Sequence, residues 1–360
     1  MSAPANAPSS SPLLVLVANA GDGSISTFRL SDGALERLAV AEGLTGCSAF
    51  AVDAERDLVH AAVKGAGEGE NAGLLTLSLD RATGVLTPRS RLDLPDGNLN
   101  YVALTRGGTG LLAASYGGGY GFTARVADGE VSEPVSRIAF ANLHSVLASG
   151  DGAHAYFVSL GDDLIAQYAI GDDMALHALS PETVAAPTDS GPRHLVLSDD
   201  GSAVLVLTEF TAQVLRYARD SATGRLELTG SAPAADPSAG LGPSRLGLDP
   251  KENHVIWAAD LRWGAPAPSG DGARHLWASE RAASTLGAVT VAADGALTSP
   301  EHFTTTEPQP RGFDLSPDGA HLVAAGERST TVSLYAVDGD RLELLQQAET
   351  GAGANWVRFV

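Results

Sequence analysis

The sequence predicts an all-β chain assembled from one repeated unit, and three observations carry that expectation. Apolar runs of four to eight residues are broken throughout by Gly, Asp, Pro and Ser, with no helical heptads. One phrase recurs: strand, tight turn, strand, polar loop, strand. It returns at intervals of roughly 43 to 64 residues, close to the ~40–50 that four strands with their turns require.

The unit is clearest between residues 304 and 337. Gln309-Pro310-Arg311-Gly312 ends a polar loop, and Phe313–Leu315 reads as a short strand. Ser316-Pro317-Asp318-Gly319 is a tight turn, because Pro presets φ and Gly accepts φ > 0. His321–Ala325 and Thr330–Val337 follow as the second and third strands.

In chain order, the same inner pair is expected at Ala49–Ala62, Tyr101–Ser115, His144–Ser159, His194–Leu207, Ala258–Ser279 and Gly312–Ala325. Outer strands such as Gly73–Leu79 and Val85–Arg89 fill the gaps, joined by Thr-Gly turns at Arg81–Gly84 and again at Asp220–Gly224. Trp356–Val360 is a seventh inner strand with nothing after it, and Leu13–Ala18 is a second strand with nothing before it. Together they complete a blade and leave no unpaired inner edge. The prediction is a seven-bladed β-propeller in one domain, 13–360, its ring closed by the C-terminal strand pairing with the N-terminal strands. Two irregular stretches, Gly230–Asn253 and Trp263–Ala273, have the length of either functional lids or disordered segments.

Composition narrows the function. A formal charge of −20 lacks the basic face that a phosphate backbone needs, so no nucleic-acid partner is expected. Cys47 is the single cysteine, which excludes an internal disulfide and a multi-cysteine metal site. No apolar run approaches the ~20 residues that span a bilayer, so no membrane partner is expected either. The Pro/Ser/Ala-rich residues 1–12 read as a disordered tail. No Lys or Arg precedes the first apolar run, so an export signal is not read and the cytoplasm is expected.

Four phrases then carry a resemblance: Ala114-Ser115-Tyr116-Gly117-Gly118-Gly119, Ser190-Gly191-Pro192-Arg193-His194, Trp257-Ala258-Ala259-Asp260-Leu261, and Thr306 to Phe313. In that order they resemble the seven-bladed propeller lactonases. These are the cycloisomerase-type 6-phosphogluconolactonases, related to the fungal carboxy-cis,cis-muconate cyclases. The likeness runs from about Leu13 to Val360. It implies a lactone-processing site at one mouth of the channel, with His144, Glu209, Arg193 and Arg311 as the catalytic set. His194, Tyr116, Asp260 and Gln309 are the substrate contacts it suggests. The chain departs from the family pattern at Asn142 and Tyr101, where His is frequent, and at Ser159 and Thr208.

The residue types suit that chemistry. Water attack on a lactone carbonyl needs a base, for which Glu209 and His144 both qualify, and donors for the oxyanion. Guanidinium groups grip phosphate or carboxylate bidentately. His144, Arg193 and Arg311 open inner strands and Glu209 closes a second strand, so all four belong at one end of the channel. Plainer readings stand beside these: arginines plugging the channel, a structural histidine, a salt-bridging glutamate, and Trp257 and Trp356 as packing between blades.

A calcium site would have only Glu209, Asp260 and Asn355 to draw on, so no metal and no cofactor is expected. With Lys confined to Lys64 and Lys251, phosphate binding would rest on arginine alone. The expected partner is a small anionic lactone, 6-phosphogluconolactone foremost, handled by a monomer or weak dimer. A muconate-type lactone cycloisomerase and a non-catalytic binding scaffold are the alternatives.

Overall fold

The computed structural model describes residues 13–67, 69–266 and 272–360. The expected N-terminal tail, and residues 269–271 of the turn Ser269-Gly270-Asp271-Gly272 expected within the fifth pair, Ala258–Ser279, lie outside the described residues.

The described strands form seven antiparallel sheets. Their innermost strands are Ala49–Asp53, Tyr101–Thr105, Leu143–Ala148, Pro192–Leu197, Ala258–Pro266, Pro310–Leu315 and Ala354–Phe359. The seventh sheet runs Ala34–Ala41, Ser24–Ser31, Leu13–Asn19, Ala354–Phe359. Val15 pairs with Phe359 and Val17 with Val357, so the two ends of the described chain close one blade. The architecture is a seven-bladed β-propeller, closed as the sequence predicts.

Three of the turns that join an innermost strand to the next repeat one device. Ser316 Oγ donates to Asp318 Oδ1, the Asp318 carboxylate accepts from the Ala320 amide, and the His321 amide returns to Ser316 Oγ. Ser149 with Asp151, and Ser198 with Asp200, are built alike. Gly319 takes φ +69 here, a left-handed conformation that a side chain would strain. These turns fix one end of the channel and leave the other end to the longer connections.

Apolar side chains fill the spaces between neighbouring blades. Tyr101, Val146, Phe157, Phe50 and Trp356 are all buried in one such cluster. Trp356 donates its indole N–H to the Phe50 carbonyl at 2.9 Å, and Tyr101 stacks edge-on against it, as packing requires.

Both lid candidates are shorter than expected. Trp263 to Pro266 continues the strand Ala258–Pro266, and Gly230 to Pro233 ends the strand Leu226–Pro233. Their Ala- and Gly-rich sequence hid that continuation, since only cross-strand pairing holds it. What remains of the first stretch is an irregular loop after Pro233, with a short 3-10 turn at Pro237–Ala239.

Candidate functional site

A bulge sits at the start of several innermost strands. Leu143 pairs with Ser159 and Ser145 with Val158, which leaves His144 unpaired between them. The same slip isolates Arg193 between Pro192 and His194, and Arg311 between Pro310 and Gly312. In the closing blade it isolates Asn355, since Asn19 pairs with Ala354 and Ala18 with Trp356. A bulge frees a residue from the ladder and re-aims its side chain. All four residues line one cavity of ≈ 490 Å³ at the mouth of the channel.

The rest of that lining also follows from register. The residue directly after the second strand of a blade turns over the mouth: Ala20, Lys64, Tyr116, Glu209, Arg281 and Glu327 each hold that place and each line the cavity. Asn100 and Trp257 stand just before innermost strands and line it too.

Glu209 is the hub. Its Oε2 accepts from Arg193 Nε at 2.7 Å and lies 3.0 Å from Arg281, while its Oε1 takes only the Trp257 indole N–H at 3.2 Å. Arg281 stacks on the Trp257 ring at 3.7 Å from the centroid, a cation–π contact. Arg281 also reaches Glu327 at 3.6 Å, and Glu327 holds Arg311 at 2.9 Å. Burial would raise the Glu327 carboxyl, but Arg311 and Arg281 outweigh it and hold it below its usual value. Burial pushes Arg281 down to about 9, against the pull of Glu209.

Four cations, Lys64, Arg193, Arg281 and Arg311, therefore face two carboxylates, Glu209 and Glu327, around one mouth. The excess is positive in a chain whose formal charge is −20. Lys64 corrects the expectation that an anion would meet arginine alone. Among the described residues, no group of three or more His, Cys, Asp or Glu side chains is disposed to hold a metal ion.

Behind the mouth, buried Arg193 is held from the rear. Its NH1 donates to the Ala259 carbonyl and to His194 Nε2, the latter at 3.1 Å. His194 Nδ1 meets Asp260 Oδ1 at 2.7 Å. Burial and Arg193 push His194 down to about 3, so this contact is a neutral imidazole N–H donating to a carboxylate and not an ion pair. Burial would raise Asp260, but Arg262 and His194 hold it well below the usual carboxylate range.

Of the residues expected from sequence, His144, Arg193, Glu209, Arg311 and Tyr116 come together at the mouth. His194 and Asp260 do not line it; they lie buried behind Arg193. Gln309 lines a neighbouring cavity of ≈ 330 Å³ with Lys251 and Arg328. Trp257, read from sequence as packing, walls both cavities. Arg281, Glu327, Lys64 and Asn100 were not singled out for the site. Each flanks a strand at the register that Glu209 or Trp257 occupies, a relation set by strand pairing and not marked in the local sequence.

Comparison with known proteins agrees with this architecture. The family model for the seven-bladed β-propeller lactonases matches residues 15–359. The chain is 28% identical over 277 residues to a 6-phosphogluconolactonase of Enterobacter sp. (strain 638), covering 76% of this chain and 78% of that protein. It is 27% identical over 278 residues to that of Cronobacter sakazakii, covering 76% and 77%. The solved structure of the Pseudomonas aeruginosa periplasmic gluconolactonase superposes with a TM-score of 0.81 at 23% identity, over 97% of this chain and 99% of that one. The chain belongs to the seven-bladed β-propeller lactonase family.

Proposed function

We propose that the protein hydrolyses a sugar-acid lactone, 6-phosphogluconolactone foremost, by metal-independent attack of water at the channel mouth. The observation that carries this reading is the cluster of four cations and two carboxylates around a single ≈ 490 Å³ cavity in an acidic chain. Such a mouth draws a small anion and holds it beside a hydrogen-bonded carboxylate. The curated relatives named 6-phosphogluconolactonase point to the same substrate.

Glu209 is the base in this reading. Its Oε2 is committed to two arginines, whereas Oε1 has only the Trp257 N–H and keeps a lone pair for a water. That water adds to the lactone carbonyl carbon and its proton passes to Glu209. The carbonyl oxygen becomes an oxyanion, stabilised by His144 and the guanidinium of Arg193. The bond from carbonyl carbon to ring oxygen then breaks. The ring oxygen takes the proton from Glu209 and becomes a hydroxyl, and the acid formed loses its own proton to solvent as a carboxylate.

Arg311 and Lys64, which line the same cavity, hold the phosphate. The enzyme works in the cytoplasm, where a phosphorylated sugar lactone is retained by its charge. It acts as a monomer or weak dimer, because the closed ring leaves no inner edge to pair.

The test is direct. Purified protein given freshly generated 6-phosphogluconolactone should open it well above the spontaneous rate, at the same speed with and without a chelator. A rate equal to background overturns the lactonase reading, and a rate lost to chelator overturns metal independence.

A further inference from the structure

The geometry points to Asn100 as a positioning residue: it fixes the tautomer of His144, so that the imidazole faces the substrate as a hydrogen-bond donor and not as a base. This rests on the lactonase reading and assigns a role within it.

The Asn100 side-chain amide has only one workable orientation. Its Oδ1 accepts from the Tyr116 amide at 2.6 Å, so that atom is the oxygen. Its Nδ2 donates to the His144 carbonyl at 2.5 Å, which confirms the nitrogen. The same Nδ2 stands 3.4 Å from His144 Nδ1. An NH₂ group has only hydrogens to offer, so Nδ1 must present its lone pair, and the proton of the neutral ring goes to Nε2.

Among the described residues Nε2 has no hydrogen-bond partner, and His144 lines the cavity. The ring plane is held as well. Tyr116 stands edge-on at 5.7 Å and His194 at 5.2 Å between centroids. Neutrality follows from the surroundings: burial comes first, then Arg193, His194, Arg311 and Arg281, which all oppose a second proton and hold the ring well below its ordinary value. The mouth therefore receives an Nε2–H from a ring that stays uncharged, suited to a developing oxyanion. A base at this position would need the other tautomer, with Nδ1–H pointed at the hydrogens of Asn100.

The deciding measurement is ¹⁵N NMR on protein labelled at histidine, with His144→Gln used to assign the ring signals. Between pH 6 and 8, wild-type His144 should give the pattern of a neutral ring protonated at Nε2. A proton on Nδ1, or a charged ring, overturns the proposal.

Kinetics supply the second arm. In His144→Gln the amide N–H replaces Nε2–H, so kcat should stay within about tenfold of wild type, whereas His144→Ala should lose on the order of 100-fold, the value of one oxyanion donor. Equal, large losses in both variants would mean a base and would overturn the assignment. Asn100→Asp should move the His144 proton to Nδ1 in the NMR spectrum and lower kcat more than it changes KM. A wild-type protein that does not open the lactone would sink the functional reading, while the ring signals judge Asn100 independently.

Discussion

Arg193 and Arg311 occupy the same place in two different blades: each is the unpaired residue of a bulge at the second position of its innermost strand. Their roles differ because their neighbours differ. Arg193 is sealed in, backed by His194 and Ala259 and bound to Glu209. Arg311 has a quarter of its side chain exposed and one partner, Glu327. In the reaction we propose, the first acts on the reacting carbonyl and the second grips the far end of the substrate.

That difference predicts a kinetic split. Arg311→Ala, and Lys64→Ala at the same rim, should raise KM for the phosphorylated lactone by about tenfold each with kcat little changed, the mark of binding lost equally in ground and transition states. Neither should matter for an unphosphorylated gluconolactone. Steady-state kinetics on the two substrates check it; a fall in kcat alone would place these side chains at the chemistry.

Glu209→Gln should lower kcat by about 100-fold or more, in the range general bases contribute. The variant should also melt at a lower temperature, because the buried Arg193 and Arg281 lose their carboxylate. Kinetics and a thermal melt on one sample test both effects. Near-full activity would remove Glu209 from the reaction.

Acid should destabilise the fold early. Burial lowers His60 to about 4, His194 to about 3, and His144 well below 6.5. With the folded pKa depressed for a basic group, no proton difference exists well above 6.5 and the stability is full. Below that pH the unfolded chain takes up protons that the fold refuses, so stability falls as pH drops from about 6.5 towards 3–4. Urea midpoints at pH 7.5, 6 and 5 should give a slope of about three protons or more, since burial and Arg219 also lower His154, and His60→Gln should reduce it by about one. A flat profile between pH 7 and 5 would contradict the burial of these rings.

Ring closure has its own test. A methyl group on Gly312 would stand 2.5 Å from the Asn355 carbonyl oxygen and 3.0 Å from Trp356 Cα, both backbone atoms of the closing strand. Gly312→Ala should therefore cost about 1–3 kcal/mol, as wedging a packed interface does. A denaturant titration measures it, and an unchanged midpoint would mean that the strand yields freely.

The innermost strands and their turns were legible because their signals are local: apolar runs closed by Ser, Asp and Gly. Half the mouth was legible for the same reason, since His144, Arg193 and Arg311 sit inside short phrases that open strands. Arg281 and Glu327 were not, because nothing in Ser279-Glu280-Arg281 or Gly326-Glu327-Arg328 marks either residue locally. Their meaning comes from pairing register, which puts each directly after a second strand, level with Glu209. Trp257 misled because an aromatic beside a strand usually packs. Here its N–H meets Glu209 and its face meets Arg281.

The bulges have a consequence for descent. A side chain that takes no part in the hydrogen-bond ladder can be exchanged without breaking the ladder itself, and so can the residue just past a second strand, although ion-paired ones such as Arg193 and Glu209 must change together with their partners. A lineage can therefore retune what the mouth accepts with the strand ladders intact, by substitutions at the rim or by paired changes within the ion network. Inheritance of the scaffold and drift of the substrate are uncoupled at these few positions, so relatives sharing barely a quarter of their residues can keep the same ring.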